Sequence, residues 1–99
     1  MTLTKQQQLV VLILQQLKLG KTNSQITSYI NQANLSTPRG LTYSQRSLEQ
    51  ELFKLRNPKK NWKSALYVEM LLLLNTGVLT LKEITESLYS PRTVRINVL

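Results

Sequence analysis

Basic, amide and hydroxyl side chains recur at helical spacing in the middle of the chain, where they are suited to contacting nucleic-acid bases. If Leu48 marks the core side of a helix and each residue advances about 100°, then Arg46, Gln50 and Phe53 lie on the opposite side. Arg pairs with guanine, Gln with adenine, and Ser or Tyr with bases or phosphates. An ordinary solvated face is the simpler alternative. The predicted DNA-contacting residues of this helix are Tyr43, Ser44, Arg46, Ser47, Gln50 and Lys54.

A dense group of positive charges follows, with Glu49 and Glu51 as the only acids nearby. Such a cluster suits phosphate contacts that set affinity and register, and its alternative is a solubilising linker. Trp62 lies within it, and packing against the core is favoured over stacking on a base or sugar. In the preceding loop, Arg39 is either a phosphate or minor-groove contact or a solvated charge. The predicted cluster comprises Lys54, Arg56, Lys59, Lys60 and Lys63.

The composition favours a polyanionic partner and excludes several reaction types. The 99 residues include 13 Lys+Arg, 5 Asp+Glu and no His, for a net charge of +8, and residues 1–48 contain no acid. This excess favours nucleic acid first and an anionic membrane surface second. Without Cys or His there is no thiol nucleophile, disulfide, His general base or usual zinc ligand. An enzyme is therefore the weakest possibility, and no metal, cofactor or small-molecule ligand is expected.

The apolar runs are too short for a secretion signal or a membrane span. Leu9–Leu14 is interrupted by Gln15 and Gln16, and no small-residue cleavage site follows. Met70–Leu74 has five residues, whereas a span needs about 20. We therefore expect a cytoplasmic protein that does not contact a membrane.

Apolar periodicity and capping residues predict an all-α fold of about six helices. The helix that carries the candidate DNA contacts is expected to start near Thr42, since Thr42–Gln45 has the form of a capping box, and to end at Asn57. The other predicted helices are one capped by Thr2 or Thr4 that runs to about Leu19, one capped by Thr22, Asn23 or Ser24 that ends at Asn34, one from about Lys63 or Ser64 to Leu74, one capped by Thr80 that includes Leu88, and a last one that opens at Ser90.

The helix that ends at Leu74 is apolar almost all the way round its axis, so protein is expected to cover both of its sides. A core between the two halves of the chain is the favoured explanation. A homodimer interface through Met70–Leu74 is the other, and both can hold.

The two halves of the chain align as an internal repeat. Gly20 pairs with Gly77, and Ser44–Leu48 pairs with Ser90–Val94. The repeat predicts two tandem three-helix units that share one core, residues 1–58 and 64–99, joined by a basic linker at 59–63. Because Ile96 stands where Gln50 stood, the second unit is equally suited to DNA or protein contact. Its predicted DNA contacts are Arg92, Thr93 and Arg95.

Two segments resemble known DNA-binding families. Asn34–Leu48 resembles the segment of large serine recombinases in which a Thr-Pro-Arg-Gly loop leads into an aromatic-Ser/Thr helix start. Ile84–Arg95 is similar to the helix-turn-helix of LuxR-type response regulators, where Ser-Pro-Arg-Thr-Val opens the recognition helix. These resemblances imply helix-turn-helix modules that bind DNA, without the recombinases' catalytic domain.

The sequence therefore predicts a sequence-specific protein for double-stranded DNA. It would be a transcription regulator or an accessory factor of a mobile element. The alternative is a helical interaction module that binds an acidic protein partner, which a charge of +8 would serve equally.

Overall fold

A computed structural model describes residues 2–37 and 40–89, and all regular structure in these ranges is helical. The predicted all-α fold with about six helices is confirmed. None of the described helices is long and apolar enough to cross a membrane. The helices are α1 (Lys5–Lys18), α2 (Asn23–Gln32), α3 (Gln45–Arg56), α4 (Pro58–Asn61), α5 (Ala65–Asn75) and α6 (Leu81–Tyr89).

One of the six described helices, α4, was not predicted. The predicted linker at 59–63 is largely helical, because Pro58 starts the short helix α4. Proline fits the first turn of a helix, where its missing N–H leaves no bond unmade. The helix predicted from Ser90 lies outside the described residues.

Hydroxyl side chains begin four of the described helices. Thr4, Thr22, Ser44 and Thr80 each accept a hydrogen bond from the backbone N–H three residues ahead. These bonds satisfy amides that a helix N-terminus otherwise leaves unpaired. The predicted start of α3 near Thr42 is wrong by two residues, because Ser44 is the residue whose hydroxyl caps the helix.

One hydrophobic core joins the two halves of the chain. Buried residues from Leu9 in α1 to Leu88 in α6 form a single cluster. Helix α1 packs against α2, α5 and α6, and α3 packs against α2, α4, α5 and α6. Helix α3 is therefore held from several sides, which fixes the face that it exposes.

Helix α5 is covered on one side rather than two. It buries Leu66, Met70 and Leu73. Val68, Leu71 and Leu72 remain 41%, 42% and 45% exposed. The chain by itself therefore covers one side of α5, against α1 and α3, and a homodimer that covers the other side stays a prediction.

Candidate nucleic-acid interface

Packing divides α3 into an inner and an outer face. Leu48, Leu52 and Leu55 are at most 2% exposed and anchor the helix in the core. Arg46 and Gln50 are exposed on the other side, as the helical spacing predicts. Phe53 lies with them and is 63% exposed. The outer face of α3, defined as Arg46, Glu49, Gln50 and Phe53, presents charged, amide and aromatic groups to solvent.

The two predicted serines lie at the N-terminus of α3 and serve the helix itself. Ser44 Oγ accepts from the Ser47 backbone N–H at 3.1 Å, and the two hydroxyl oxygens are 2.9 Å apart. Ser44 is exposed and Ser47 is half-buried. Their hydroxyls therefore stabilise the start of α3, and their position at its edge leaves Ser44 accessible to a phosphate.

Tyr43 is not an exposed contact residue, contrary to prediction. Its side chain is only 3% exposed. Its backbone N–H donates to Asn31 Oδ1 at 3.2 Å, and its carbonyl accepts from Asn31 Nδ2 at 3.0 Å. Because Tyr43 precedes the first helical residue, a helical projection from Leu48 does not apply to it. Burial, with a smaller contribution from Glu51, raises the pKa of the Tyr43 hydroxyl well above its usual range.

Helix α4 brings lysines beside the outer face of α3. Asn57 Nδ2 donates to the Phe53 carbonyl at 2.7 Å, and Asn61 Nδ2 donates to the Asn57 carbonyl at 2.9 Å. These bonds connect the end of α3 to α4 and place Asn61 on the same surface depression as Arg46. Four cations of this region, here termed the lysine cluster, reach solvent: Lys54, Lys59, Lys60 and Lys63.

Arg56 differs from the lysine cluster because it joins two helices. Its Nε donates to the Leu88 carbonyl at 3.0 Å, and the Tyr89 hydroxyl donates to the Arg56 carbonyl at 3.3 Å. The side chain is half-buried, and this burial lowers its pKa. The structure therefore uses Arg56 to attach α3 to α6, a role that its place in a basic run does not predict.

Trp62 is exposed, so the expectation that it packs on the core is wrong. Its side chain is 59% exposed. Lys63 Nζ lies 4.9 Å from the centre of its ring, within the range of a cation–π contact. An exposed aromatic with a cation above it remains suited to contact with a nucleic acid.

Two carboxylates of α3 lie on or beside its outer face. Glu49 is exposed and lines the same depressions as Phe53. Glu51 is half-buried, and its carboxylate lies 3.9 Å from Lys54 Nζ. Burial raises the pKa of Glu51, and Lys54 partly offsets this. Glu49 was not predicted to lie on the outer face. The signal that could have placed it there is its i, i+3 spacing from Arg46.

Four predicted DNA contacts, Arg39, Arg92, Thr93 and Arg95, lie outside the described residues. Within the described ranges, no group of three acidic side chains is placed to hold a metal ion. No protein-family model matches the chain, and neither a curated protein nor a solved structure matches it.

Proposed function

We propose that the protein binds double-stranded DNA, with the outer face of α3 in the major groove and the lysine cluster on the phosphates. The observation that carries this proposal is the division of α3. Three buried leucines hold the helix in place, while Arg46 and Gln50 extend to solvent beside the exposed lysines of α4.

The dimensions of α3 suit a major groove. Its 12 residues span about 18 Å, and the groove is about 12 Å wide and admits one helix. Arg46, Glu49, Gln50 and Phe53 are spaced i, i+3, i+4 and i+7, so one side of the helix can present all four to base edges. Arg46 suits guanine, Gln50 suits adenine, and Glu49 can accept from cytosine N4.

The distribution of ion pairs favours the α3–α4 surface as the anion-binding side. Glu86 lies 3.3 Å from Lys18 and 3.9 Å from Lys82, so this carboxylate pairs with one lysine of α1 and with the lysine of α6. In the lysine cluster, the recorded ion pair is that of Lys54 with Glu51. Positive charge without a carboxylate partner attracts a phosphate backbone and releases its counterions.

The resemblances to recombinase and LuxR-type segments support the same proposal. Both concern short stretches, of which Asn34–Leu48 leads into α3 itself. Proteins that act by occupying a DNA site include transcription regulators and accessory factors of mobile elements. We place this protein in that group, with activity by occupancy rather than by catalysis.

Salt dependence of duplex binding tests the proposal. Four lysine–phosphate contacts predict a slope of about −3.6 for log K against log[salt], or about a 150-fold loss of affinity between 50 and 200 mM. Fluorescence anisotropy with a labelled random duplex measures it. Arg46→Ala should reduce the preference for a site selected from a random pool more than Lys60→Ala does. Absent or salt-insensitive duplex binding would contradict the proposal.

The exposed side of α5 favours a second candidate function, a protein contact. Val68, Leu71 and Leu72 are uncharged and adjacent at i, i+3, i+4 spacing. Two chains that each carry +8 repel one another, and an uncharged helix face is where such chains can approach most closely. Sedimentation equilibrium tests for a homodimer, which Leu72→Lys should dissociate. A monomer at high micromolar concentration would contradict the homodimer. The alternative to a homodimer is a contact with an acidic protein, which the net charge of +8 would attract.

A further inference from the structure

Phe53 occupies the outer face of α3 without a role in the core. Its side chain is 63% exposed, and it is not among the residues that form or adjoin the hydrophobic cluster. Single exposed apolar residues are common and by themselves indicate little. Phe53, however, is in line with two groups that suit base recognition, Arg46 and Gln50, and it shares a surface depression with both.

Helix geometry sets the distance between Arg46 and Phe53. Seven residues amount to about two turns, so the two side chains leave the helix in nearly the same direction, about 10 Å apart along its axis. With the axis of α3 aligned along the DNA and a rise of about 3.4 Å per base pair, this offset corresponds to about three base pairs. Phe53 would therefore face a different base pair from Arg46.

The chemistry of the ring limits what it can recognise in a major groove. Phe has no donor or acceptor, and the apolar group that distinguishes one base there is the C5-methyl of thymine. Phe53 also lines a second depression with Pro58, Lys59 and Lys60, so the ring adjoins both the base-contacting side chains and the candidate phosphate contacts.

We infer that Phe53 is a specificity-determining residue that contacts a thymine methyl group, about three base pairs from the base pair that Arg46 contacts. This inference rests on the proposed DNA-binding function. It predicts that the protein prefers thymine at one position of its DNA site. The hydrogen-bonding side chains Arg46 and Gln50 do not account for that preference.

Replacement of thymine by deoxyuridine tests the contact, because it removes only the methyl group. A duplex selected from a random pool by the wild-type protein is resynthesised with deoxyuridine at each thymine in turn. Loss of one buried methyl predicts about fourfold weaker binding at one position. That position should lie about three base pairs from the one whose preference Arg46→Ala relaxes.

The variant Phe53→Ala should bind the thymine and deoxyuridine duplexes equally at that position and keep the wild-type salt slope. Trp62→Ala is the matched control. Trp62 is also exposed, at 59%, but lies beyond α4, so this variant should retain the ratio of thymine to deoxyuridine affinity even if a stacking contact is lost and total affinity falls. Because both rings are exposed, both variants are expected to keep the wild-type helical circular dichroism.

Two results would overturn the inference while leaving the proposed function intact. The first is salt-dependent, site-selective binding in which no deoxyuridine substitution weakens the complex. The second is a Phe53→Ala variant that still discriminates. Failure to bind any duplex at low salt would instead overturn the proposed function, and the random-duplex titration detects that separately.

Discussion

Helices α3 and α5 bury the same kind of face and expose opposite kinds. Their buried residues have the same i, i+4, i+7 spacing: Leu48, Leu52 and Leu55 in α3, and Leu66, Met70 and Leu73 in α5. On the exposed side, α3 carries Arg46 and Gln50, whereas α5 carries Leu71 and Leu72. The buried face of each helix is set by the core, whereas the exposed face is free to suit a partner. We propose DNA as the partner of α3 and an apolar protein surface as the partner of α5.

The two halves of the chain show a related contrast. Gly20 after α1 and Gly77 after α5 both have positive φ, 81° and 83°, a conformation that favours glycine. The turns are alike, but the packing is not. Helix α1 packs on α2, the helix that follows it, whereas the principal contacts of α5 are with α1 and α3. Similar local sequence therefore produces similar turns without the same tertiary arrangement.

The largest expected effect is on the free energy of unfolding, and it distinguishes the buried face of α3 from the exposed face of α5. Leu52→Ala removes a side chain that is 2% exposed and should lower the free energy of unfolding by about 2–5 kcal/mol. Leu72→Ala shortens a side chain that is 45% exposed and should cost much less. Urea unfolding of both variants measures the difference. Equal losses would show that α5 is covered on both sides in solution.

A second prediction concerns charge and DNA affinity. The double variant Lys59→Ala, Lys60→Ala removes two exposed cations of α4 and should reduce the salt slope by about 1.8. The affinity ratio between 50 and 200 mM salt would then shrink about twelvefold. The control, Leu71→Ser with Leu72→Ser, alters the α5 face and should leave the slope unchanged. A change of slope in the control and not in the lysine variant would reverse the assignment of the two faces.

The smallest effect is expected at Glu51, whose pKa burial raises from its ordinary 4.5. A raised carboxyl pKa means that the stability contributed by its protonated form is present at low pH and is lost as pH rises through the folded-state value. Glu51→Gln should therefore raise the free energy of unfolding at pH 7 by no more than about 1 kcal/mol. The gain should shrink as pH falls through the raised folded-state pKa and should be largely gone once pH reaches the ordinary value of 4.5. Thermal unfolding of the wild type and the variant between pH 7 and pH 4.5 measures this difference in the free energy of unfolding.

The same substitution should strengthen duplex binding, because it removes the negative charge 3.9 Å from Lys54 Nζ. Glu69→Gln on α5 makes the same change of charge away from the outer face of α3, so it should leave DNA affinity closer to wild type. If both variants strengthened binding equally, net charge alone would explain the effect.

Much of the fold could be predicted from the sequence because its signals are local. A hydroxyl with a partner three residues ahead marks a helix start at Thr4, Thr22 and Thr80. Leucine spacing then identifies the buried side of α3 and, by 100° steps, the exposure of Arg46 and Gln50. The error of two residues at Thr42 arose because two hydroxyls compete as caps, and Ser44 is the one that forms the bond.

The candidate site could be predicted less completely, since several of its residues depend on distant parts of the chain. Tyr43 is buried because its backbone bonds to Asn31 draw the loop against α2. Arg56 bonds to Leu88, 32 residues away. Neither contact has a signature within a few residues of sequence.

The sequence by itself determined the helices, the buried side of α3 and the excess of positive charge, because caps, periodicity and composition act over a few residues. Tertiary structure decided which side chains remain available at the surface. It buried Tyr43, attached Arg56 to α6, and left Trp62 exposed. It also left one side of α5 exposed, because packing depends on which helices meet, and that is settled only when the whole core assembles.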